Sequence, residues 1–480
     1  MPVSSADLLA GLPAATEVPA TELAGLARQS GRVLVVLDDD PTGTQSVYDL
    51  PVVMDWSTDS LAWALRQGAP AVYVMTNSRS LDPEHAERCN REVARAAFAA
   101  AERVGVRVDF VSRSDSTLRG HFPLEPATLA EEVAARDGRP VDGIVIVPAF
   151  GDAGRITVDS VHYAGNPEDG YTPVGETEFA RDATFGYHAS DLRKWVEEKT
   201  GGRIPAGEVA RIDLTTLRTD HDATVARLTA LSDARPLVCD AVTENDLRLL
   251  ALALYTAEAR GTRLVYRVGP PFVRAVIGQE VRAPLQPDEI AAIREGGLAE
   301  RAHGGLIVVG SHVSMTTRQL AELVAADHPV ELDLDVATIL SGAPGAAERH
   351  VDEVARQAAE ALATGNVVVR TSRTLVRADD PATSLAIARS VSGALVAVVG
   401  EVLAARPPRF VVAKGGITSS DVAARGLGIS RAMVRGSLLP GIVSLWEPVD
   451  GPARGIPYVV FAGNVGGPHS LADVVHTLST

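Results

Sequence analysis

The residues with the most evident chemistry lie in one block, residues 113–121, with the sequence RSDSTLRGH. The block follows an apolar run at residues 106–111 that predicts a buried strand, and it precedes a helical pattern at residues 124–135. Burying a carboxylate, two guanidinium groups and three hydroxyls is costly unless these groups have partners. Small anionic polyols supply such partners, and in open α/β sheets the ligand binds beyond the carboxyl ends of the strands. We therefore expect a site for a small hydroxylated acid here.

Within this block the residue types suggest separate roles. Arg113 and Arg119 suit a substrate carboxylate, because guanidinium groups pair bidentately with carboxylates. Asp115 suits a sugar hydroxyl, either as a hydrogen-bond acceptor or as the base that takes its proton. The neighbouring hydroxyl of Ser116 is a further candidate for substrate binding. The alternative is an internal salt bridge between Asp115 and one of the arginines.

Three consecutive carboxylates, Asp38, Asp39 and Asp40, follow an apolar run at residues 32–37. Carboxylates at a strand end can bind Mg²⁺ or act as a general base, so Asp39 joins Asp115 as a candidate base. Asp38 is a candidate for substrate binding. The alternative is an acidic turn in which Asp40 caps the segment after Pro41.

Two further strand ends carry polar groups. Asn77 and Arg79 follow a predicted strand at residues 71–75, and Arg155 lies in a glycine-containing loop after a predicted strand at 143–147. Four neighbouring strands that end in such groups would outline one pocket. A helix cap at Ser80 and a long connection around Arg155 are the plain alternatives.

The second half of the chain carries less charge and more glycine at its strand ends. Three turns, at residues 310–319, 414–421 and 462–470, each follow an apolar run and precede a helix. Glycines let backbone N–H groups approach a phosphate, and helix N-termini favour its charge. The turns therefore indicate a nucleotide, although any α/β protein needs glycine and serine at such places. The sequence contains neither a GxxxxGK[ST] loop nor a GxGxxG after a strand.

Composition narrows the class of protein. The chain has 480 residues, of which 46% are hydrophobic and 4% aromatic, and it carries a net charge of -16. This acidity disfavours a nucleic-acid partner. Two distant cysteines, Cys89 and Cys239, fit a reducing compartment and provide no zinc site. Residues 1–20 lack a signal-peptide pattern and no segment is apolar enough for a membrane span, so we expect a cytoplasmic protein.

Short apolar runs alternate with helical patterns, such as those at residues 83–103 and 346–363, throughout the chain. This alternation predicts an α/β fold with largely parallel sheets, in two Rossmann-like three-layer domains. The segment at residues 282–304, rich in proline and charge, is the best candidate linker. We expect a sugar-acid-binding domain over residues 1–290 and a nucleotide-binding domain over residues 300–480. Residues 165–210 are expected to form an elaborated loop region.

These motifs resemble the four-carbon acid sugar kinases over nearly the whole chain. The matching blocks are DDDPTG at residues 38–43, NSR at 77–79, DSTLRG at 115–120, and the Pro-Ala-Phe…Gly-Arg-x-Thr pattern at 148–157. The second half matches through its Gly-Ser turn at 310–311, GGITS at 415–419 and GNVG at 463–466. At two positions the chain departs from many members, which have an aromatic residue in place of Pro41 and an acidic residue in place of Ile417.

The resemblance implies two α/β domains and a kinase that phosphorylates a tetronate with ATP, with Mg²⁺ accompanying the nucleotide. It also implies the residues that contact the nucleotide, namely Ser311, Gly415, Gly416, Ile417, Thr418, Gly463, Asn464 and Gly466.

We therefore expect an ATP-dependent kinase acting on a hydroxyl of a small sugar acid. Two other functions stay open: a dinucleotide-dependent dehydrogenase or epimerase, and a non-catalytic sensor of a sugar acid. The expected partner is a small molecule, with no nucleic acid and no membrane. The sequence leaves the oligomeric state open, with a homodimer as one option.

Overall fold

A computed structural model describes residues 2–297, 301–311, 313–372, 381–463 and 465–480. The chain divides into two units. The first contains residues 1–47 and 55–281, and the second contains residues 48–54 and 282–480. The short segment at residues 48–54 therefore belongs to the unit that is otherwise built from the end of the chain.

Eighteen strands lie within the described residues, and they are numbered in chain order. They are β1 Arg32–Asp38, β2 Leu50–Val53, β3 Ala71–Met75, β4 Arg107–Arg113, β5 Gly143–Val147, β6 Arg155–Val158, β7 Val161–Asn166, β8 Gly170–Pro173, β9 Ala210–Ile212, β10 Arg235–Cys239, β11 Leu264–Val268, β12 Leu306–Val309, β13 Val330–Leu334, β14 Val367–Thr371, β15 Val411–Lys414, β16 Arg431–Leu439, β17 Ile442–Pro448 and β18 Tyr458–Phe461.

The α-helices of the described part are numbered in the same way. They are α1 Ser5–Leu8, α2 Ala20–Ser30, α3 Thr58–Leu65, α4 Pro83–Val104, α5 Leu124–Asp137, α6 Leu192–Lys199, α7 Leu214–Thr219, α8 His221–Thr229, α9 Glu244–Ala259, α10 Pro271–Ile277, α11 Pro287–Glu295, α12 Ser314–Asp327, α13 Val336–Leu340, α14 Ala346–Ala361, α15 Pro381–Ala405, α16 Gly416–Asp421 and α17 Ser470–Ser479. Short 3₁₀ turns add Pro41–Ser46 and Ser78–Ser80 directly after β1 and β3.

The first unit is built on a seven-stranded parallel sheet in the order β3-β1-β4-β11-β5-β10-β9. Strands β1, β3 and β5 are buried along their whole length, as expected when helices cover both faces of a parallel sheet. In the register of the sheet, Asp38 at the end of β1 lies beside Met75 of β3 and Arg113 of β4. The carboxyl ends of these three strands therefore meet at one level of one sheet edge.

The helices α4 and α5 begin near this edge and hold the loops before them in place. Asp82 caps α4 by accepting a hydrogen bond from the His85 backbone amide (3.0 Å), and Pro83 occupies the first helical position. Helix α4 packs against both α3 and α5. The predicted helices at residues 83–103 and 124–135 therefore match α4 and α5 to within two residues at each end.

Residues 165–210, expected to be a loop region, contain regular structure. They complete an antiparallel sheet in the order β6-β7-β8 and include helix α6. Trp195 of α6 is buried and stacks on Phe122 with ring centroids 4.4 Å apart. This segment has its own apolar cluster, around Tyr187, Trp195 and Val196, that packs against the loop after β4.

The second unit has an eight-stranded mixed sheet in the order β13-β14-β12-β15-β18-β17-β16-β2. The first five strands are parallel, whereas β18, β17, β16 and β2 pair in antiparallel fashion. The apolar core of this unit includes Phe410, Phe461 and Ile307.

The predicted α/β class with largely parallel sheets is confirmed in both units. The proposed linker at residues 282–304 contains helix α11, whose Ile290 and Ile293 belong to the core of the second unit. The later change from the first unit to the second falls between Val281 and Arg282, whereas we expected the first domain to end at residue 290 and the second to begin at residue 300.

Candidate functional site

The innermost part of the site in the first unit is a buried ion pair. The Arg113 guanidinium contacts the Asp38 carboxylate, and Arg113 Nη2 also donates to the backbone carbonyl of Asp40 at 2.6 Å. Gly43 lies against this pair so closely that a Cβ there would be 2.1 Å from Asp38 Oδ2. The structure therefore buries Asp38 and Arg113 against each other beneath the site, whereas we expected them to meet a substrate. Asp38 Oδ2 and Arg113 Nε have no hydrogen-bond partner among the described residues.

The next carboxylate, Asp39, binds a different arginine. Arg79 Nη2 donates to Asp39 Oδ1 at 2.6 Å, and Arg79 Nε donates to Oδ2 at 3.2 Å. Gly120, at a φ of 116°, brings its backbone close to the same carboxylate, and a Cβ there would be 2.9 Å from Asp39 Oδ2. Burial raises the pKa of Asp39 to about 7, with Arg79 opposing that rise and Glu125 adding to it.

Asp40 has the structural role that was the alternative for this acidic run. Its carboxylate accepts hydrogen bonds from the Thr42 amide (2.9 Å) and hydroxyl (2.5 Å), and it caps the 3₁₀ turn that follows. The three adjacent aspartates thus have three roles: Asp38 pairs with Arg113, Asp39 pairs with Arg79, and Asp40 caps a turn. Within the described residues, no set of three or more His, Cys, Asp and Glu side chains is arranged to hold a metal ion.

Asp115 is held by its own block. Arg119 Nε donates to Asp115 Oδ2 at 2.6 Å, and the Thr117 hydroxyl donates to the same oxygen. Burial raises the pKa of Asp115, but the charges of Arg79 and Arg119 and these hydrogen bonds outweigh it and hold the pKa well below its usual range. The internal salt bridge that we kept as an alternative is therefore present, between Asp115 and Arg119.

Side chains from other loops hold the 113–121 block in its conformation. Buried His162 makes a 2.7 Å hydrogen bond to the Ser116 carbonyl, and the Tyr187 hydroxyl donates to the Thr117 carbonyl at 2.6 Å. His121 lies within hydrogen-bond distance of the Ser78 and Leu81 carbonyls. His121 and His162 therefore hold the backbone of these loops in place.

Sequence reasoning missed a buried network below the site. The Arg267 guanidinium, from β11, contacts the Glu125 carboxylate and donates to the Ser112 hydroxyl at 2.8 Å. The Ser78 hydroxyl donates to the other oxygen of Glu125. Both charged side chains are only 3% exposed. The one sign of this network in the sequence is Arg267 itself, a charged residue inside the otherwise apolar strand β11.

The arginines of this region differ in how far their side chains are exposed to solvent. The side chains of Arg79 and Arg119 are 20% and 27% exposed, whereas that of Arg113 is 3% exposed. The Arg119 and Arg155 guanidinium groups both lie over the ring of Phe179, at 5.5 and 5.6 Å from its centre. Three cationic side chains from three separate segments of the chain therefore lie around Asp115.

Asn77 and Ser116 are partly buried beside these groups. Asn77 takes a left-handed conformation, with φ 50°, at the start of the turn that carries Arg79. The carbonyl of Ser116 is used by His162. Of the predicted residues, the structure brings Asn77, Arg79, Asp115, Ser116, Arg119 and Arg155 to one edge of the first unit's sheet.

The second unit brings its three glycine turns together. A Cβ on Gly310 would lie 2.2 Å from Thr418 Oγ1, and one on Gly463 would lie 2.6 Å from Ser311 Oγ. Gly415, at φ 129°, faces both Ser311 and Thr418. The side chains of Thr418 and Ser311 therefore pack directly against the glycine backbones of the turns after β12, β15 and β18.

Helix α12 fixes the last of these turns. The Thr316 hydroxyl donates to the Gly463 carbonyl at 2.9 Å, and Gln319 Nε2 donates to the Val465 and Gly467 carbonyls at 3.0 and 2.8 Å. Gly466 has a φ of 81°. Asn464 lies outside the described residues, and so does the side chain of Ile417, whose backbone begins α16 beside Gly416.

Lys414, at the end of β15, is a further residue that the sequence analysis did not identify, in addition to Glu125 and Arg267. Its side chain is fully buried, and its Nζ donates to the Ala462 carbonyl at 2.6 Å. Lys414 thus connects the strand end before Gly415 to the strand end before Gly463. Burial lowers the pKa of Lys414 to about 7.

Comparison with known proteins identifies the two units. A family model described as a sugar-binding N-terminal domain matches residues 34–276, and one described as a nucleotide-binding C-terminal domain matches residues 306–471. The chain therefore belongs to the four-carbon acid sugar kinase family. It is also 27% identical to a 3-oxo-tetronate kinase of Methylobacterium radiotolerans over 403 residues, which cover 83% of this chain and 87% of that one.

Two solved structures share the fold. A protein of Salmonella typhimurium LT2, provisionally described as a tRNA synthase, superposes with a TM-score of 0.64 at 20% identity, over 92% of this chain and 98% of that one. Protein HI1011 of Haemophilus influenzae gives a TM-score of 0.58 at 16% identity, over 92% and 99% of the two chains. Within the described residues, no helix combines the length and apolar character that crossing a membrane requires.

Proposed function

We propose that this protein is an ATP-dependent kinase that phosphorylates a hydroxyl of a four-carbon or similarly small sugar acid. The observation that carries the proposal is the group of cationic side chains around Asp115, which lies at the carboxyl edge of the parallel sheet in the unit matched by the sugar-binding model. The name of the relative from Methylobacterium radiotolerans supports the reaction class.

The carboxylate of the acid would bind to the accessible arginines. Arg119 and Arg155 both lie over the ring of Phe179, and Arg79 lies at the same edge of the sheet, so an incoming anion would meet three guanidinium groups. Arg155 has a buried Nε with no hydrogen-bond partner among the described residues, which leaves a donor for a ligand. Asn77 and Ser116 would bind hydroxyls of the sugar acid.

Asp39 is the general base in this proposal, and Asp115 is the group that orients the arginines. A base works best when its pKa lies near the working pH, and burial raises the pKa of Asp39 to about 7. Asp115 is held in its charged form by two arginines and is a poor proton acceptor. Asp38 and Arg113 support the loop from below, as their burial indicates.

The three glycine turns of the second unit would hold the nucleotide. The hydroxyls of Thr418 and Ser311 lie against the backbones of Gly310 and Gly463, where a Cβ would be 2.2 and 2.6 Å from them, so these turns are packed together at the carboxyl ends of their strands. Backbone N–H groups of such glycine turns before helices would bind the phosphates. Ser311 and Thr418, with Gly416, Ile417, Asn464 and Gly466 by resemblance, complete the set. Mg²⁺ would arrive with the phosphates, where it neutralises charge during phosphoryl transfer.

The direct test is an assay for ADP release with a panel of tetronates and 3-oxo-tetronates, in which the phosphorylated product is identified by ³¹P NMR. We expect acid-dependent ADP formation with at least one four-carbon acid. Turnover of NAD with the same panel, or saturable binding of the acid without ADP release, would contradict the proposal and favour a dehydrogenase or a sensor. The cytoplasmic location and the homodimer stay predictions.

A further inference from the structure

Lysine is rare in this chain, and one of its few copies is buried. Lysines occur only at positions 194, 199 and 414 among 45 basic residues. Lys194 is exposed and Lys199 is half-buried, whereas Lys414 is fully buried. Arginine cannot lose its proton in a protein, but a buried lysine can. The chain thus has arginine at almost all of its basic positions. At the buried position 414 it has lysine instead, which can become neutral where an arginine would stay charged.

Lys414 lies directly beneath the nucleotide turns. It precedes Gly415, and its Nζ bonds the carbonyl of Ala462, the residue before Gly463. The same nitrogen lies 3.6 Å from the centre of the Phe461 ring. Any charge on Lys414 is thus placed at the base of two of the three turns at once.

The surroundings provide no counter-charge in the described part of the chain. On the neighbouring strands Lys414 pairs with Val309 of β12 and Phe461 of β18, both apolar. Two titratable groups of the packed elements have other partners: the Tyr458 hydroxyl donates to the Ser419 carbonyl, and Asp421 accepts from Ser392. Burial is the one cause that lowers the pKa of Lys414, and no charged group offsets it.

We propose that Lys414 is largely a neutral amine in the nucleotide-free protein and takes one proton from solvent when the phosphates of a nucleotide bind at the Gly415 and Gly463 turns. The negative phosphates supply the counter-charge that the protein lacks, so nucleotide binding and proton uptake are linked. Lys414 acts through the turns and is a positioning residue. This inference rests on the proposed nucleotide site.

The scarcity of lysine makes a direct measurement possible. Protein labelled with ¹³C at lysine Cε should give three NMR signals, and the Lys194→Arg and Lys199→Arg variants assign them without changing the buried position. We expect the Lys414 signal to titrate near pH 7, as its lowered pKa of about 7 indicates. With saturating Mg-ADP its midpoint should rise by at least one pH unit, a tenfold change in proton affinity, while the Lys194 signal does not respond to Mg-ADP.

Calorimetry separates failure of this inference from failure of the proposed function. At pH 7.5, Mg-ADP binding measured in buffers of different ionisation enthalpy should show uptake of about half a proton if the pKa of about 7 rises by one unit, and of at most about three quarters of a proton if it rises further. Binding without a shift of the Lys414 signal would overturn the inference and leave the nucleotide site intact. No binding of Mg-ADP or Mg-ATP at all would overturn both.

Discussion

The Arg79 guanidinium donates two hydrogen bonds to the Asp39 carboxylate, from Nη2 to Oδ1 at 2.6 Å and from Nε to Oδ2 at 3.2 Å. The carboxylate is 2% exposed and the arginine 20% exposed, so the pair runs from the interior towards the surface of the first unit. An anionic ligand that attracts Arg79 would weaken these bonds. It would thereby release Asp39 as a proton acceptor at the place where the acid binds.

The first prediction concerns the two candidate bases. Asp39→Asn should lower kcat by about 10² to 10⁴, the usual contribution of a general base, with little change in the KM for ATP. Asp115→Asn should mainly raise the KM for the sugar acid, because it frees Arg119 from its 2.6 Å partner and disorders the anion site. Steady-state kinetics with both substrates varied measures the difference.

The pH profile checks the same assignment. Asp39 must be deprotonated to accept a proton, so kcat/KM for the sugar acid, which follows ionisation of the free enzyme, should fall as the pH drops through about 7, where the raised pKa of Asp39 lies. Asp115, with its lowered pKa, would give no decline in that range. The assignment would be wrong if Asp115→Asn abolished kcat while Asp39→Asn retained it.

A second prediction tests the close contact beneath the site. In Gly43→Ala the new Cβ would lie 2.1 Å from Asp38 Oδ2 and 2.2 Å from Arg113 Nε. Relieving this clash should cost about 1 to 3 kcal/mol of unfolding free energy and weaken binding of the sugar acid. Thermal unfolding and acid titration measure both effects. The matched control is Gly25→Ala in α2, where a Cβ meets nothing within 4 Å and stability should not fall.

The third prediction addresses the glycine turns of the second unit. Gly310→Ala should push Thr418 away, because its Cβ would lie 2.2 Å from Thr418 Oγ1, and we expect the Kd for Mg-ADP to rise about tenfold. Gly393→Ala, in helix α15, adds the same methyl group where nothing lies within 4 Å. If the two variants bound Mg-ADP with equal affinity, the glycine turns would not be part of the nucleotide-binding site.

A fourth prediction concerns the buried pair of Glu125 and Arg267. Glu125→Ala should lower the unfolding free energy by about 3 to 5 kcal/mol, because it leaves the Arg267 charge buried without its partner. Glu131→Ala removes an exposed partner of Arg91 and should cost less than about 1 kcal/mol. Denaturant unfolding of both variants measures these losses, and a cycle of Glu125→Leu, Arg267→Met and the double variant measures the coupling. A loss in the double variant equal to the sum of the two single losses would exclude coupling.

Much of the fold could be predicted from local sequence patterns. Fully apolar runs predicted β1, β3 and β5, and the helical pattern at residues 83–103 predicted α4, although its cap is Asp82 and not Ser80. The pairing of residues 48–54 with β16 could not be predicted in this way, because it joins segments nearly 400 residues apart by main-chain bonds. The inserted position of β11 between β4 and β5 is non-local for the same reason.

The site was predictable where the chemistry lies at strand ends and not where it lies inside elements. The charged block at residues 113–121 is conspicuous in sequence, but which arginine is buried depends on register, and register places Arg113 beside Asp38. Glu125 in a helix and Arg267 in a strand look like ordinary members of those elements. Only their mutual contact, across 142 residues, shows their importance.

Hydrogen–deuterium exchange with each ligand alone tests the central claim most directly. We predict that a bound four-carbon acid slows exchange at residues 38–43, 77–80 and 113–121, and that Mg-ADP slows exchange at residues 310–319, 415–421 and 463–467. Each ligand should thus protect the loops of its own unit. Protection of residues 38–43 by the nucleotide, with none around Gly415 and Gly463, would contradict the account.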